Sequence, residues 1–194
     1  MIRRFYVHNF RCLENFELPI SEKPSALLIG QNGSGKSTVG FALEVLQSIA
    51  RGTNRVGQLI KPSDFARGRS DVPLRFEIEA TIGEQVYEYI LALEFPDGFR
   101  ELRVLEERLA VGGKSIYSRE RSQVQLAKTK QNQEAKFLVD WHLVALPVIQ
   151  EQSESDPLYI LKSWLARMLI LAPIPNLISR PSGIMNYYST TGMN

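Results

Sequence analysis

The residues best suited to chemistry lie in one short run, residues 30–38, which read GQNGSGKST. Its glycines let the backbone curl so that successive N–H groups point inward, where they can hold an anion. Lys36 adds a point charge near the β and γ phosphates, Ser37 offers a hydroxyl to Mg²⁺, and Thr38 can donate to the α phosphate. The run therefore predicts a phosphate-binding loop for ATP and Mg²⁺, with Lys36 as the catalytic residue and Ser37 as the metal ligand.

Regular elements on both sides are expected to position this loop. The four residues before it, 26–29, are all apolar and end at Gly30, as expected of a buried strand in the middle of a sheet. After the loop a helix is predicted from near Lys36 to Gly52, with one apolar stripe at Ala42, Val45, Leu46 and Ile49. A chance match in a glycine-rich turn is the alternative, and the flanking strand and helix disfavour it.

Two further strands are predicted ahead of the loop. Residues 2–7 and 16–20 have the composition of short strands, and a polar turn at 11–15 joins them. Residues 1–50 are therefore expected to hold a strand pair, the phosphate loop and the first helix. A basic connector that contains several glycines follows at 51–73.

The middle of the chain changes to a two-residue period. Residues 74–82 alternate apolar and polar side chains, which predicts a strand with one buried face, and residues 87–95 supply the return strand. Gly112 and Gly113 predict another hairpin, because two glycines can take the positive φ angles of a tight turn. Residues 74–118 are therefore predicted to form an antiparallel β meander.

The last part of the chain, residues 119–194, is predicted to be a helical part followed by a tail. Apolar residues return to helical spacing at Leu161, Trp164, Leu165 and Met168, and Pro157 is acceptable in the first turn of that helix. Residues 169–174 are predicted to form a strand. The tail beyond them has the composition of a loop.

The residues around the loop resemble a known class of ATPases. Residues 8–11 read HNFR and residues 13–16 read LENF, ahead of GQNGSGKST. This opening resembles the N-terminal lobe of ABC-type ATPases of the SMC, Rad50 and RecF families. It is also similar to the related predicted AAA-type ATPases and the overcoming-lysogenization-defect (OLD) nucleases. The fold class implied is α/β, a P-loop NTPase lobe with an inserted antiparallel β meander. The resemblance is specific over residues 2–49 and weak beyond 118.

The resemblance also implies which residues bind the nucleotide. They are Arg11, Asn32, Gly33, Ser34, Gly35, Lys36, Ser37 and Thr38. Part of the connector, around residues 65–69, is a weaker candidate for contact with the base or ribose. A solvated turn arginine is the alternative for Arg11, because a lone arginine in a turn usually lies on the surface.

Hydrolysis requires a carboxylate that holds Mg²⁺, an acid that orients water and, in the resembled families, a signature loop from a second subunit. The nearest match to an apolar run with two acids is FLVD at 137–140, which Trp141 follows. Residues 109–114, LAVGGK, faintly resemble the LSGGQ signature. A glycine hairpin and an ordinary aspartate at the start of a helix explain both runs more simply. Neither His8 nor His142 fits a switch histidine.

Residues 1–194 are therefore expected to be an incomplete P-loop ATPase domain. The resemblance implies a missing C-terminal half or partner subunit that supplies the acid pair, and a homodimer of ATPase heads in the complete protein. ATP hydrolysis is expected of that complete protein and not of this chain alone. Its role would lie in DNA repair, genome maintenance or phage defence. The alternatives are a regulatory or assembly module that binds ATP without hydrolysis and, disfavoured by the early strands and the meander, a small-molecule kinase.

Charge and cysteine content narrow the location and the partners. The net charge of +2 makes no case by itself for nucleic acid or an anionic membrane. Five basic residues of the connector could still contact DNA phosphates, although a solvated loop is the favoured alternative: Arg51, Arg55, Lys61, Arg67 and Arg69. The single cysteine, Cys12, suits a reducing cytoplasm, and no apolar segment is long enough to span a bilayer. The sequence predicts a cytoplasmic protein with no membrane partner.

Overall fold

The computed structural model describes residues 1–20, 28–127 and 135–171. The strands in these ranges are β1 (Ile2–His8), β2 (Phe16–Pro19), β3 (Leu74–Ile82), β4 (Gln85–Glu94), β5 (Arg103–Val111), β6 (Lys114–Glu120), β7 (Gln123–Leu126) and β8 (Ala135–Leu138). The helices are α1 (Lys36–Ala50), α2 (Val56–Leu59) and α3 (Pro157–Ala166), with 3₁₀ turns at Pro62–Asp64 and Ala66–Gly68. The strands form one antiparallel sheet in the order β2-β1-β3-β4-β5-β6-β7-β8.

The two-residue period of the sequence sets which face of the sheet is buried. Leu74, Phe76 and Ile78 of β3 are buried, while the residues between them stay partly exposed. The predicted strand over 74–82 is confirmed at both ends. Gly112 and Gly113 have φ angles of 55° and 75° and turn the chain between β5 and β6, as the glycine pair predicts.

The opening strands belong to the same sheet as the meander. β1 pairs with β2 on one side and with β3 on the other, where Phe5 lies opposite Ile78. The antiparallel part also continues past residue 118, because β7 and β8 extend the sheet to Leu138. The meander is therefore an extension of the sheet that starts at residue 2 and not a separate insertion, and the described residues do not confirm the α/β detail of the predicted fold class.

The long helices pack together on the core. The predicted apolar stripe of α1 is buried, and so are Leu161 and Leu165 of α3. The Gln47 side chain of α1 donates hydrogen bonds to the carbonyls of Ala166 and Met168 at the end of α3. Within the described ranges, no helix is long and apolar enough to cross a membrane.

A buried ion pair joins β5 and β6. The Glu107 carboxylate accepts hydrogen bonds from Tyr89, Tyr117 and the backbone N–H groups of Ala145 and Leu146. Arg119 lies 3.7 Å from this carboxylate, and both side chains are fully buried. The guanidinium of Arg119 donates to the carbonyls of Arg121, Asp140 and Leu143. Burial, together with the charge of Glu107, raises the pKa of both tyrosines well above its ordinary value.

The outer face of the sheet carries exposed charge pairs. Glu77 on β3 accepts hydrogen bonds from Arg4 on β1 at 2.6 Å and from Arg75 on its own strand at 2.5 Å. Arg75 also donates to Glu106 on β5 at 2.7 Å. Burial alone would raise the pKa of Glu77, but the two arginine hydrogen bonds outweigh it and hold that pKa below its ordinary value.

Two predicted strands differ from the structure. In the run 26–29, Leu28 and Ile29 lie in no strand, and Ile29 is 85% exposed. In the run 169–174, Leu169 and Leu171 also lie in no strand and are exposed. An apolar run forms a strand only where a neighbour completes its hydrogen bonds, and no described strand pairs with either run. Residues 26 and 27, residues 172–174 and the tail to residue 194 lie outside the described ranges.

Candidate functional site

The phosphate loop turns into α1 at Gly35. This glycine is buried and has a φ angle of 93°, a left-handed backbone conformation that residues other than glycine rarely adopt. A Cβ at this position would lie 3.1 Å from a methyl carbon of Leu13 and 3.2 Å from the sulfur of Cys12. No side chain caps the helix here, and its first turn holds no acidic residue. The first-turn N–H groups and the positive end of the helix dipole can therefore act on an anion.

The ammonium group of Lys36 lies inside the curve of the loop. Its Nζ donates to the carbonyl oxygens of Gly30 at 2.6 Å and Gln31 at 2.7 Å, and to the hydroxyl of Ser34 at 3.3 Å. A Cβ on Gly30 would come 2.6 Å from the Ser34 hydroxyl, so the loop leaves no room for a side chain there. The lysine charge thus sits where a phosphate held by the loop would meet it.

The next two residues differ in exposure. Ser37 is exposed, so its hydroxyl is accessible to a metal ion. Thr38 is buried, and its hydroxyl oxygen lies 3.3 Å from the sulfur of Cys12. This contact fastens the start of α1 to the turn that contains Arg11 and Cys12. An oxygen ligand and a lysine beside free backbone donors suit Mg²⁺ and a phosphate chain, so these residues fit the group that the sequence predicts.

The tip of the loop is open to solvent. Asn32, Gly33 and Ser34 are all exposed, and Gly33 has a φ angle of 84°. The backbone N–H of Ser34 donates to the carbonyl of Gln31 at 3.2 Å, which closes a turn at the tip. The structure therefore places residues 32–38 together in one curve. Their role in binding stays a prediction.

Arg11 lies beside this curve, in the turn after β1. Its φ angle is 53°, and its backbone N–H donates to the carbonyl of Asp64 at 2.6 Å. The Nε of Arg11 donates to the Asp64 carboxylate at 2.9 Å. The guanidinium lies over the ring of Phe41 on α1, 4.5 Å from its centroid, and 5.2 Å from that of Phe10. Arg11 is thus held by a carboxylate and two rings, unlike an arginine that extends freely into solvent.

A small groove begins at these rings. It has a volume of about 220 Å³ and runs between one side of α1 and the connector that follows it. Its lining includes Arg11, Phe41, Glu44, Ser48, Thr53 and Gln58. The groove therefore extends away from the phosphate loop along α1, on the side where Arg11 lies.

Residues 65–69 of the connector are mostly occupied elsewhere. Phe65 is buried and pairs with Phe10 through a β-bridge. Arg67 and Arg69 both contact the Glu14 carboxylate, at 2.9 and 3.7 Å. These contacts hold the connector against the turn after β1.

Most of the basic residues proposed for DNA contact also have partners within the chain. Arg51 donates to the carbonyl of Ala166, and Arg55 forms an ion pair with Glu101. Arg67 and Arg69 share Glu14. These contacts favour the solvated-loop interpretation over a DNA-binding stretch.

The weak candidates for hydrolysis lie on other elements than the loop and its helix. Gly112 and Gly113 form the ordinary hairpin described above, and residues 109–111 belong to β5. Asp140 is exposed, follows the edge strand β8, and accepts a hydrogen bond from the backbone N–H of His142. The residues after Asp140 return to the connector, where Leu143 bridges Arg55 and the Val144 N–H donates to the Asn54 carbonyl. These contacts lie beyond the C-terminal end of α1, whereas the loop lies at its start.

The sequence did not identify three residues that the structure places at the site: Cys12, Phe41 and Asp64. Phe41 carried a usable signal, because it is a large aromatic residue on α1 that falls outside the buried stripe and is 42% exposed. No sequence pattern could have indicated Cys12 or Asp64. Cys12 contacts Thr38, 26 residues away in the chain, and Asp64 contacts Arg11, 53 residues away.

Comparison with known proteins gives two matches. A family model described as an AAA ATPase domain matches residues 1–138, more than half of the chain. The OLD nuclease of Thermus scotoductus (strain ATCC 700910 / SA-01) is 41% identical over 46 residues. The matching stretch is 24% of this chain and 8% of the nuclease, so this chain matches only a small part of the nuclease. Both matches confirm the class that the residues around the loop resemble.

Proposed function

Because the chain belongs to the family of AAA ATPase domains, we propose that residues 30–38 bind ATP together with Mg²⁺. The backbone N–H groups of the loop and Lys36 hold the phosphates, and Ser37 contributes a hydroxyl ligand to the metal. Arg11 reaches the nucleotide from the side. When bound, Mg²⁺ offsets the negative charge of the phosphate chain.

The observation that supports this proposal best is the geometry of Gly35. A positive φ angle, a buried position and an uncapped helix start coincide at one residue. That combination keeps backbone donors free at the positive end of a 15-residue helix. The lysine that follows directs its ammonium group into the same curve.

We further propose that the chain is the N-terminal lobe of an ATPase of the SMC, Rad50 and RecF type, with an α/β P-loop fold. Residues 1–50 carry the site, 51–73 the connector, 74–118 the β subdomain and 119–194 the remainder. A C-terminal half or partner subunit supplies the acid pair, and two such heads form a homodimer. The relative named a nuclease is consistent with a role on nucleic acid, and we propose DNA repair, genome maintenance or phage defence.

A second candidate function follows from the position of Asp140. Because the residues that follow Asp140 pair with residues 54–56, beyond the C-terminal end of α1, no acid pair of the expected sequence stands near Lys36 in the described ranges. The chain would then bind ATP without hydrolysis and act as a regulatory or assembly module. Neither function predicts steady-state phosphate release by the purified chain alone, so phosphate release by the complete protein is the measurement that separates them. Release by the purified chain that Lys36→Ala abolishes would show that this chain hydrolyses ATP and would require a new assignment of the acid.

Substitution of the loop lysine tests the proposal directly. We expect Lys36→Ala to weaken binding of MgATP at least tenfold by isothermal titration calorimetry, because a charge-assisted contact to phosphate is lost. Lys114→Ala, in the exposed turn between β5 and β6, removes the same charge far from the loop and is the matched control. Equal affinities of the two variants would show that the loop is not the nucleotide site.

Alkylation of Cys12 provides a second readout that does not depend on heat of binding. It is the single cysteine, it is exposed, and its sulfur lies 3.3 Å from the Thr38 hydroxyl. We expect MgATP to slow the reaction of this thiol with iodoacetamide in the native chain and not in Lys36→Ala. An unchanged rate at saturating MgATP would place the nucleotide elsewhere.

A further inference from the structure

The contacts of Arg11 divide its guanidinium into two edges. The Nε edge donates to Asp64 Oδ1 at 2.9 Å. Neither Nη1 nor Nη2 donates a hydrogen bond to any residue in the described ranges. A guanidinium has five N–H donors in a fixed planar fork, so four of them remain available while the fifth sets the orientation of the plane.

The carboxylate that holds this edge is itself fixed. Asp64 ends the 3₁₀ turn Pro62–Asp64, and its second oxygen accepts a hydrogen bond from the backbone N–H of Lys61 at 2.9 Å. The backbone N–H of Asp64 donates to the carbonyl of Lys61 in return. The side chain of Asp64 is only 15% exposed, compared with 40% for Arg11. The aspartate is therefore a rigid anchor, and the arginine is the more accessible member of the pair.

Aromatic rings remove the remaining freedom of the guanidinium. Phe41 lies 4.5 Å from its central carbon, measured to the ring centroid. The backbone of Arg11 is also fixed, because its N–H donates to the Asp64 carbonyl at 2.6 Å. One aspartate therefore holds both the main chain and the side chain of Arg11, and the helix that carries the phosphate loop supplies the ring beneath it.

The turn that carries Arg11 contacts the phosphate loop. The next residue, Cys12, touches the Thr38 hydroxyl and the space beside Gly35. Arg11 and Phe41 also line the same groove of about 220 Å³. A nucleotide whose α phosphate meets Thr38 would therefore pass within reach of the Nη nitrogens.

We propose that Asp64 is a positioning residue that orients Arg11 so that its Nη edge contacts the nucleotide. This proposal rests on the proposed function, because it assumes that residues 30–38 hold the phosphates. Asp64 touches no phosphate itself and acts only through Arg11. An exposed ion pair with no such role would contribute little to stability and nothing to nucleotide affinity.

A double-mutant cycle tests this role. We expect Arg11→Ala and Asp64→Ala each to raise the Kd for MgATP about tenfold, because an unpositioned guanidinium loses its contact. The double variant should be no weaker than either single variant, since Asp64 acts through Arg11. Asp64→Asn keeps an oxygen that can accept from Nε, so it should recover part of the affinity and keeps the test usable if Asp64→Ala fails to fold.

Glu14→Gln is the matched control, because Glu14 holds the neighbouring Arg67 and Arg69 but does not contact Arg11. Its Kd should stay within twofold of the native value. The proposal is overturned if Asp64→Ala binds MgATP like the native chain, or if its effect persists in the Arg11→Ala background. Lys36→Ala separates failure of the proposed function from failure of the positioning role. A native Kd in Lys36→Ala would reject the phosphate-loop assignment. Loss of binding in Lys36→Ala together with a native Kd in Asp64→Ala would reject only the positioning role.

Discussion

Arg119 on β6 and Arg11 in the turn after β1 each pair with a carboxylate. Arg119 is fully buried, faces Glu107, and spreads its donors over three backbone carbonyls. Arg11 is partly exposed, uses its Nε on Asp64, and makes no other hydrogen bond through its side chain within the described ranges. The first arrangement buries the guanidinium among partners within the chain, whereas the second leaves one edge of the guanidinium free.

The surroundings of the two arginines differ in the same way. Asn9, Arg11 and Asn15 in the turns near Arg11 have positive φ angles, and so does Arg121 near Arg119. Such angles cost energy outside glycine and are tolerated where neighbouring contacts enforce them. Around Arg119 the carboxylate of Glu107 accepts four hydrogen bonds, so the buried charges are compensated. The buried pair on β5 and β6 is therefore suited to support the fold, whereas the pair of Arg11 and Asp64 keeps the free donors that the proposed nucleotide binding requires.

Removal of Glu107 should have the largest effect on the free energy of unfolding. We expect Glu107→Ala to lower it by about 3–5 kcal/mol in urea denaturation, because Arg119 and two tyrosine hydroxyls would stay buried without their partner. Glu106→Ala is the control, since its side chain is 40% exposed on the outer face and pairs with Arg75. Equal destabilisation by the two variants would show that the buried ion pair contributes no more to stability than a partly exposed one.

Gly35→Ala should have an intermediate effect on stability and a large one on affinity. A φ angle of 93° strains any side chain, and the new Cβ would press on Leu13 and Cys12. We expect a loss of about 1–2 kcal/mol in the free energy of unfolding and a Kd for MgATP raised at least tenfold. Gly98→Ala, at a φ angle of 81° with open space around its Cβ, should cost about 1 kcal/mol and leave the Kd unchanged. A native Kd in Gly35→Ala would contradict the assignment of the phosphate loop to nucleotide binding.

The smallest effect concerns the outer face and acid pH. Because the folded-state pKa of Glu77 lies below its ordinary value of 4.5, the ionised carboxylate stabilises the fold above that pH. This contribution is lost as the pH falls through the lower folded-state pKa. We expect Glu77→Gln to flatten the decline in unfolding free energy below pH 4.5 by about 1 kcal/mol or less. Glu84→Gln, in the exposed turn after β3, should follow the native curve, and a similar flattening there would contradict the role of the arginines.

Local patterns predicted the elements whose partners are also local. The period of two fixed β3 and its hairpin with β4, and the stripe on α1 fixed the buried side of the helix. The prediction was wrong for Ile29 and Leu169 because strand formation depends on a distant neighbour, which no local pattern specifies. The continuity of β1 with β3 was missed for the same reason.

The sequence predicted the part of the site that lies in one contiguous motif, residues 30–38. Residues 32–38 share a single curve because glycines and a helix start occur in a fixed order. Asp64 and Cys12 join that curve only through folding of separate segments, so their contacts with Arg11 and Thr38 could not be read from spacing.

The pairing of β1 with β3 also sets an order of events during synthesis. Ile2 lies opposite Ala80, so the first strand cannot gain its second neighbour until residues 74–82 have been made. Before that point β1 and β2 form an isolated hairpin, which is marginally stable in water. The pairing of β1 with β3 also slows folding, because the chain between the two strands must lose conformational entropy before the contacts between them can stabilise the fold. The nascent chain therefore carries its phosphate loop unsupported until the third strand emerges from the ribosome.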